Sequence, residues 1–524
     1  MKTKSKAFKI FISIVAVILA LLLIALAVFG ISYAEQTTRD NSTLGKTETK
    51  YTADESGHRI ANIPYEDYIQ EISAPADAVT VSGLSQDAAG EENGLKIQST
   101  IDAVSQNGGG TVLIPQGKYK TNTIRLKDNV TLFVPYGAEL ISLTCDENTA
   151  SASPLSVAVI YAENAENIAV KGGGTINGSG ISYTNEPEES TPLYALQNFN
   201  MYTRVIESRK RIRTAKDTVR NNILNFYNCE NVEISNIILK DSATWTCVLN
   251  ACDNVTITDL IIDNDMHVAN SDGIDICGGE NYKISHCFIA TGDDGIVLKP
   301  SDNEIHNVTV ENCTVSSNAN CFKIGTETQM DVSDISVSDC YFFLADGMTY
   351  GYAGVSIESC DGSNIQNVTV SDITMDGVSA PFLVWLGNRF KYDKQEVGSI
   401  NGVTLKNIIA TNTEMPSAIT GCVDGGETHY VENVTIENVK ATYRDTGEDL
   451  HVRETVGEYT MRGYPEITRV SHIYFISHEL SKYWDLPCYA LCVRHAKNVN
   501  YENYQATPRT CSELEAYYLD DVTE

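Results

Sequence analysis

Cations are scarce in this 524-residue chain: 38 Lys and Arg stand against 69 Asp and Glu, a formal net charge of −31. A surface that acidic repels phosphate backbones and anionic lipid, which excludes nucleic acid as a partner. Thirteen prolines and 36 glycines are too few for collagen-like or proline-rich classes. The chain also lacks any CxxC…CxxC or Cys/His pattern, so a structural zinc site is not expected. Its 14 cysteines are scattered through a length that can build its own core, which argues for free, buried thiols rather than disulfide staples. With 42% hydrophobic and 20% charged residues, wholesale disorder is excluded.

The longest uncharged run comes first. Lys2, Lys4, Lys6 and Lys9 precede Ile10 to Ala34, 25 residues without charge. A basic start before an apolar segment is an export signal. Ser32-Tyr33-Ala34 suits cleavage, yet the run is long enough to stay as an anchor, and the two readings remain open. Either way the positive-inside rule places the rest outside the cytoplasm, secreted or anchored on the outer membrane face. Residues 1–34 are read as this leader, 35–79 as a polar, irregular stalk, and 80–524 as one domain.

That domain opens with a short amphipathic helix over Leu95 to Val104, stopped by Gly108-Gly109-Gly110. A single pattern then recurs: a polar residue, usually Asn, followed by apolar positions alternating about a polar one. It reads Glu230-Asn231-Val232-Glu233-Ile234, Asp253-Asn254-Val255-Thr256-Ile257, Glu280-Asn281-Tyr282-Lys283-Ile284 and His306-Asn307-Val308-Thr309-Val310, with copies as early as Asn129 and as late as Asn498. The second apolar position falls at 234, 257, 284, 310 and 337, a repeat of 23, 27, 26 and 27 residues. A unit that short cannot bury its own apolar face, so neighbours must stack. Short strands at this period without intervening helices predict an all-β, parallel β-helix, capped by the N-terminal helix. The Asn-x-Val-Thr copies also match a glycosylation acceptor, but a turn residue before a β-branched strand accounts for them within the repeat itself.

On a stacked helix, chemistry must come from side chains that share a face. Asn270-Ser271-Asp272-Gly273-Ile274-Asp275 and Thr291-Gly292-Asp293-Asp294-Gly295-Ile296 lie 21 residues apart (272 to 293), close to one coil. Successive strands stack about 4.8 Å apart, so Asp272, Asp293 and Asp294 converge. Crowded like charges raise at least one pKa. The result is the pairing of a carboxylic acid with carboxylates that activate water in an inverting glycosidase. Turn aspartates bonding backbone amides, for Asp275 above all, and a calcium site are the competing readings.

These motifs resemble those of the polygalacturonases and their relatives, glycoside hydrolase family 28. The resemblance extends to Gly109-Gly110-Thr111-Val112-Leu113-Ile114-Pro115, to Gly172-Gly173-Gly174-Thr175-Ile176-Asn177-Gly178 and to Arg494-His495, with Ser271 where the family carries Thr. It implies a right-handed parallel β-helix, Asp293 as general acid, and Asp272 and Asp294 holding and deprotonating the attacking water, with no cofactor or metal. It also exposes departures. The family's Gly-His-Gly histidine falls at Asn320, and its Arg-Ile-Lys clamp for a uronate carboxylate falls in Gly354-Val355-Ser356-Ile357-Glu358, where both cations are missing. A Glu in place of that Lys repels a uronate at short range by something on the order of 1–4 kcal/mol.

The remaining candidates for substrate contact are Asn270, Lys299, Asn320, Lys323, Ser356, Glu358, Arg494 and His495. For Lys299 and Lys323, neutralising the clustered aspartates is an equal alternative, and for Trp245 and Trp385, packing competes with stacking on sugar faces. Tyr483, Trp484 and Tyr489 make the late region aromatic, and the Arg209-Lys210-Arg211-Ile212-Arg213 run falls in an insertion that could wall off one groove end. The function expected is an exported, inverting hydrolase of pectin-type polysaccharide or oligosaccharide, with a rhamnose, neutral or modified sugar at the cleavage site. A catalytically silent carbohydrate-binding surface protein and a polysaccharide lyase are the alternatives.

Overall fold

The computed structural model describes residues 52–53, 60–61, 63–147, 158–185, 216, 218–345, 352–389, 396–413, 415–443, 451–452, 483–485, 488–508 and 515–523. The leader at 1–34, the basic run at 209–213 and the side chains of Tyr483 and Trp484 lie outside them. Among the described residues no helix is long and apolar enough to cross a membrane.

The repeat pattern becomes a ladder of parallel strands. Val232, Val255, Tyr282, Val308, Ile335, Val368, Val403, Val434 and Val499 stand in register on successive coils, all but Val499 buried in one continuous core. The backbone just before each of these apolar residues explains the Asn. Asn231, Asn254, Asn281, Asn307, Asn367, Asn433 and Asn498 all have φ between 51° and 64°, a left-handed conformation that Asn tolerates far better than branched residues. Their side chains form a second ladder: the Asn281 amide donates to Asn254 Oδ1 at 3.1 Å, and Asn307 donates to Asn281 at 2.7 Å. Two further ladders complete each coil, and the one running Cys247–Asn250, Ile274–Ile276, Ile296–Leu298, Asn320–Ile324, Ala353–Ser359 and Ala380–Leu386 carries the acidic motifs.

The capping helix runs Gly90–Gln106, starting five residues before the expected Leu95. It packs Ile97, Ile101 and Val104 onto Val112, Ile114, Ile124 and Leu126. Its first turn is hidden from sequence patterning by glycines that poor helix propensity argues against. Close packing requires them, since a Cβ on Gly90 would run into Leu143 and one on Gly94 into Asn122. Leu95 itself points off the packed face and is 69% exposed.

Part of the span read as an irregular stalk is packed against the coils. Ile60, Ile63, Tyr68 and Ile69 are buried with Ile261, Met266, Phe288, Ala290 and Phe343 on the outside of the strand ladder that runs Phe288–Thr291, Thr314–Ser317 and Tyr341–Phe343. Val79–Thr80 then pairs with Val112–Leu113 on the first coil. Of the 13 described cysteines all are free thiols, and all but Cys145 are buried.

Candidate active site

Glycines bring the acidic motifs into register. The backbone bonds Gly273 N–H to Asp294 O at 2.9 Å and Gly295 N–H to Asn320 O at 2.7 Å. Asp272, Asp294 and Asn320 therefore stand on successive coils in one column, with Asp293 one residue before it. A Cβ at Gly295 would lie 2.6 Å from Cys321 O and one at Gly292 2.6 Å from Val268 O, so side chains there would force the coils apart. The Asp-Gly and Gly-Asp-Asp-Gly spellings are thus the local condition for close stacking of the carboxyls. One carboxylate oxygen from each of Asp272, Asp293 and Asp294 lies within 4.8 Å of the others.

The three are held differently. Lys299 Nζ donates to Asp272 Oδ2 at 2.6 Å and to Asp275 Oδ1 at 2.7 Å. Lys323 Nζ lies 3.2 Å from Asp294 Oδ2, and the Asn320 amide donates to Asp294 Oδ1 at 2.7 Å. Asp293 accepts only main-chain donors, from Asp294 N–H at 3.0 Å and Asn270 N–H at 3.2 Å, and among the described residues no cation pairs with it. Burial, then the neighbouring Asp272 and Asp294 charges, push the Asp293 carboxyl well above the usual range. Burial also raises Asp272, offset in part by Lys299. The Lys299 ammonium pays a desolvation cost, but Asp272 and Asp275 outweigh it and hold its pKa well up. Asp272 Oδ1 is buried and receives no hydrogen bond.

Asp275 is sealed from solvent, with its carboxyl raised by burial despite Lys299. It lies in register with Val297, Lys323 and Ser356 on the outward face of the ladder. Lys299 and Lys323 are the neutralising partners of the aspartates. Ser356 and Glu358 are wholly buried. The Glu358 side chain lies beside Gly325, 3.3 Å from where a Cβ there would stand. Trp245 offers its ring face to Lys299 Nζ at 3.8 Å, and Trp385 is packed with Cys360, Leu383, Ala418, Cys488 and Cys492. Arg494 and His495 are not brought to the aspartates. Their strand lies five rungs beyond that of Asp294, about 24 Å at the spacing of stacked strands. There His495 Nδ1 meets Asp521 Oδ2 at 2.7 Å.

Two groups were not found from the sequence. Arg220 is fixed by Ala269 O at 2.8 Å, Ala243 O at 3.1 Å and Asn270 Oδ1 at 3.1 Å, with its charge toward Asp272 and Asp293. On the C-terminal side, buried Arg389 donates from Nε to Asp361 Oδ1 at 2.9 Å and reaches Glu327 Oε1 at 3.4 Å. Both come from turns tens of residues away from the motifs, and nothing local in the sequence marks them.

The profile of glycosyl hydrolases family 28 matches residues 105–455, more than half of the chain. The chain belongs to that family. It is 22% identical over 284 residues to polygalacturonase-2 of Solanum lycopersicum, covering 53% of this chain and 55% of that protein. To the endo-polygalacturonase of Pectobacterium carotovorum subsp. carotovorum it is 25% identical over 262 residues, covering 50% and 52%. This chain thus spans about half the length of these curated relatives. Among solved structures, the hyperthermoactive exopolygalacturonase from Thermotoga maritima superposes with a TM-score of 0.54 at 20% identity, covering 72% of this chain and 90% of that one. The Yersinia enterocolitica family 28 exopolygalacturonase gives 0.56 at 17% identity, covering 86% and 79%. These likenesses show the parallel β-helix fold.

Proposed function

We propose that this family 28 chain hydrolyses O-glycosidic bonds in pectin-type polysaccharide or oligosaccharide, outside the cytoplasm, by general acid/base catalysis with inversion. The observation that carries the reading is the unequal treatment of three adjacent carboxyls. Asp293, hydrogen-bonded to no cation although the Arg220 charge faces it, and pushed up by burial and two like charges, holds the proton for the leaving oxygen. Asp294 is occupied on both oxygens by Asn320 and Lys323, while Asp272 keeps Oδ1 as an acceptor for water. Groups tied down by lysines make poor covalent nucleophiles, and water held between Asp272 and Asp294 is the better attacker. The close approach of the carboxyls, nearest oxygens within 4.8 Å, is shorter than the roughly 6.5–9.5 Å of most inverting pairs and nearer to retaining ones. The stereochemistry of the product is therefore a sharp test.

The sugar at the cleavage site is read as rhamnose, neutral or modified. Ser356 follows Lys323 in the outward column, Glu358 replaces a cation, and Arg389 is already committed to Asp361 and Glu327. The chemistry is assigned to the side chains alone, since lysines occupy Asp272 and Asp294 where a hard cation would have to displace them. Product release from polygalacturonate, rhamnogalacturonan and neutral glycans, with Asp293→Asn as control, tests the reading. A reducing end that disappears in the variant supports it. Unsaturated product absorbing in the ultraviolet would move it to a lyase, and saturable binding without turnover to a carbohydrate-binding surface protein.

A further inference from the structure

The segment at residues 60–72 lies on the flank of the same coils whose loops carry the aspartates. Tyr65 donates through its hydroxyl to Asp263 Oδ2 at 2.9 Å, the last residue of the strand Asp253–Asp263. The chain then turns through Asn264, Asp265 and Met266 toward Asp272. Met266 is fully buried against the cluster formed with Ile60, Ile63, Tyr68 and Ile69. Phe288 and Ala290, in the same cluster, belong to the strand Phe288–Thr291 that leads directly into Gly292 and Asp293. The Tyr68 ring stacks on His286 with centroids 4.7 Å apart and meets Phe288 edge-on at 5.7 Å, and its hydroxyl donates to Thr314 Oγ1 at 3.0 Å. Further on, Gln70 N–H donates to Asn236 Oδ1 at 2.7 Å, and the Asn236 amide returns a bond to Gln70 O at 2.9 Å.

One short stretch of chain therefore adds a further tie between coils already joined by their ladders and by the buried Asn264 amide, which donates to Thr246 Oγ1 at 2.7 Å and Thr291 Oγ1 at 3.2 Å. We infer that residues 60–72 are a positioning strap, which sets the loops of Asp272 and Asp293 relative to each other from behind. The strap reaches its sites from the N-terminal side of the first coil, so it is not needed to close the core, which the helix Gly90–Gln106 already caps. What it does cover is the back of both loops. Those loops also bond to each other directly: Asn270 N–H to Asp293 Oδ2 at 3.2 Å, Gly292 N–H to Ser271 Oγ at 3.0 Å, Asn264 N–H to Ala290 O at 3.0 Å and Gly273 N–H to Asp294 O at 2.9 Å. Loosening the support behind Met266 and Ala290 changes the spacing of the carboxyls without touching any of them. Tyr68, Tyr65 and Ile69 are thus positioning residues, and their catalytic effect rests on the hydrolase reading above.

The test compares the full-length chain with Tyr68→Ala, Tyr68→Phe and Tyr65→Phe. Amide hydrogen exchange is followed at 264–272 and 290–294, with Val130–Phe133 as an internal reference. The strap predicts that Tyr68→Ala speeds exchange in both loops by about tenfold while the reference is unchanged. On whichever glycan of the panel is hydrolysed, kcat falls by about tenfold or more with KM little altered, as expected for misplaced catalytic groups. Tyr68→Phe, which keeps the ring, restores most of both. Loops that stay protected while the melting temperature drops would overturn the inference, leaving the segment a stabilising element only. If Tyr68→Ala does not fold, Tyr65→Phe carries the test, since it removes one hydroxyl beside the Asp272 loop. Faster loop exchange in a chain inactive on every glycan upholds the strap and counts against the hydrolase reading instead.

Discussion

Asp293 shows how far a carboxyl's role is set by what surrounds it. Three aspartates crowd together, two acquire lysines, and the third bonds only backbone amides, faces two like charges and has Arg220 nearby without an ion pair. Asp293→Asn removes the proton donor and is expected to lower kcat by a factor of about 10²–10⁴, with folding intact by circular dichroism. The same substitution stabilises the protein. A carboxyl raised in the folded state binds more protons there than in the unfolded chain, so stability falls as pH rises from the ordinary aspartate value of 3.8 toward the raised one. Denaturation of wild type and Asp293→Asn at acidic and neutral pH checks this: the gain should be absent near pH 3 and present at pH 7. Activity should be lost on the alkaline side as Asp293 ionises, and on the acidic side as the raised Asp272 takes up its proton. Because lysines neutralise the aspartates, dialysis against a chelator should leave the rate unchanged, and a loss restored by calcium would revive the metal reading.

The strands and turns carry a different lesson. The Asn of each repeat, the alternating apolar positions and the paired Asp-Gly motifs were legible because each expresses a strictly local requirement: left-handed φ, a buried face, a coil approach too close for a side chain. Residues that act by reaching across coils were not. Arg220, Arg389 and the segment at 60–72 find their partners through stacking, which no spacing in their own neighbourhood announces, and Arg494-His495 resembled family residues in sequence yet stand some rungs away from the aspartates. The Asn ladder yields its own prediction. Asn281→Ala places Ala at φ 64° and deletes the bonds to Asn254 and Asn307, at a cost of about 2 kcal/mol in denaturant unfolding. Activity in the folded fraction should be kept, because the ladder lies on a different face from the aspartates.

For the molecule as a whole, stacking converts a weak repeat into a continuous core, and the excess of 31 negative charges bears on what can approach it. An acidic protein meets a uronate polymer against repulsion, which salt screens over roughly 8–10 Å at physiological ionic strength. Turnover of any anionic pectin should therefore improve as ionic strength rises from low values, while that of a neutral oligosaccharide should not; kcat/KM against salt for both substrates checks this.

The central claim is that Asp293 delivers a proton while water, not an aspartate, attacks. Proton NMR of the anomeric signal during the first minutes of hydrolysis, on the glycan that wild type cleaves and Asp293→Asn does not, tests it most directly. The account predicts that the first product carries the anomeric configuration opposite to the substrate linkage. A first product with the substrate's own configuration would contradict it and make Asp272 or Asp294 a covalent nucleophile.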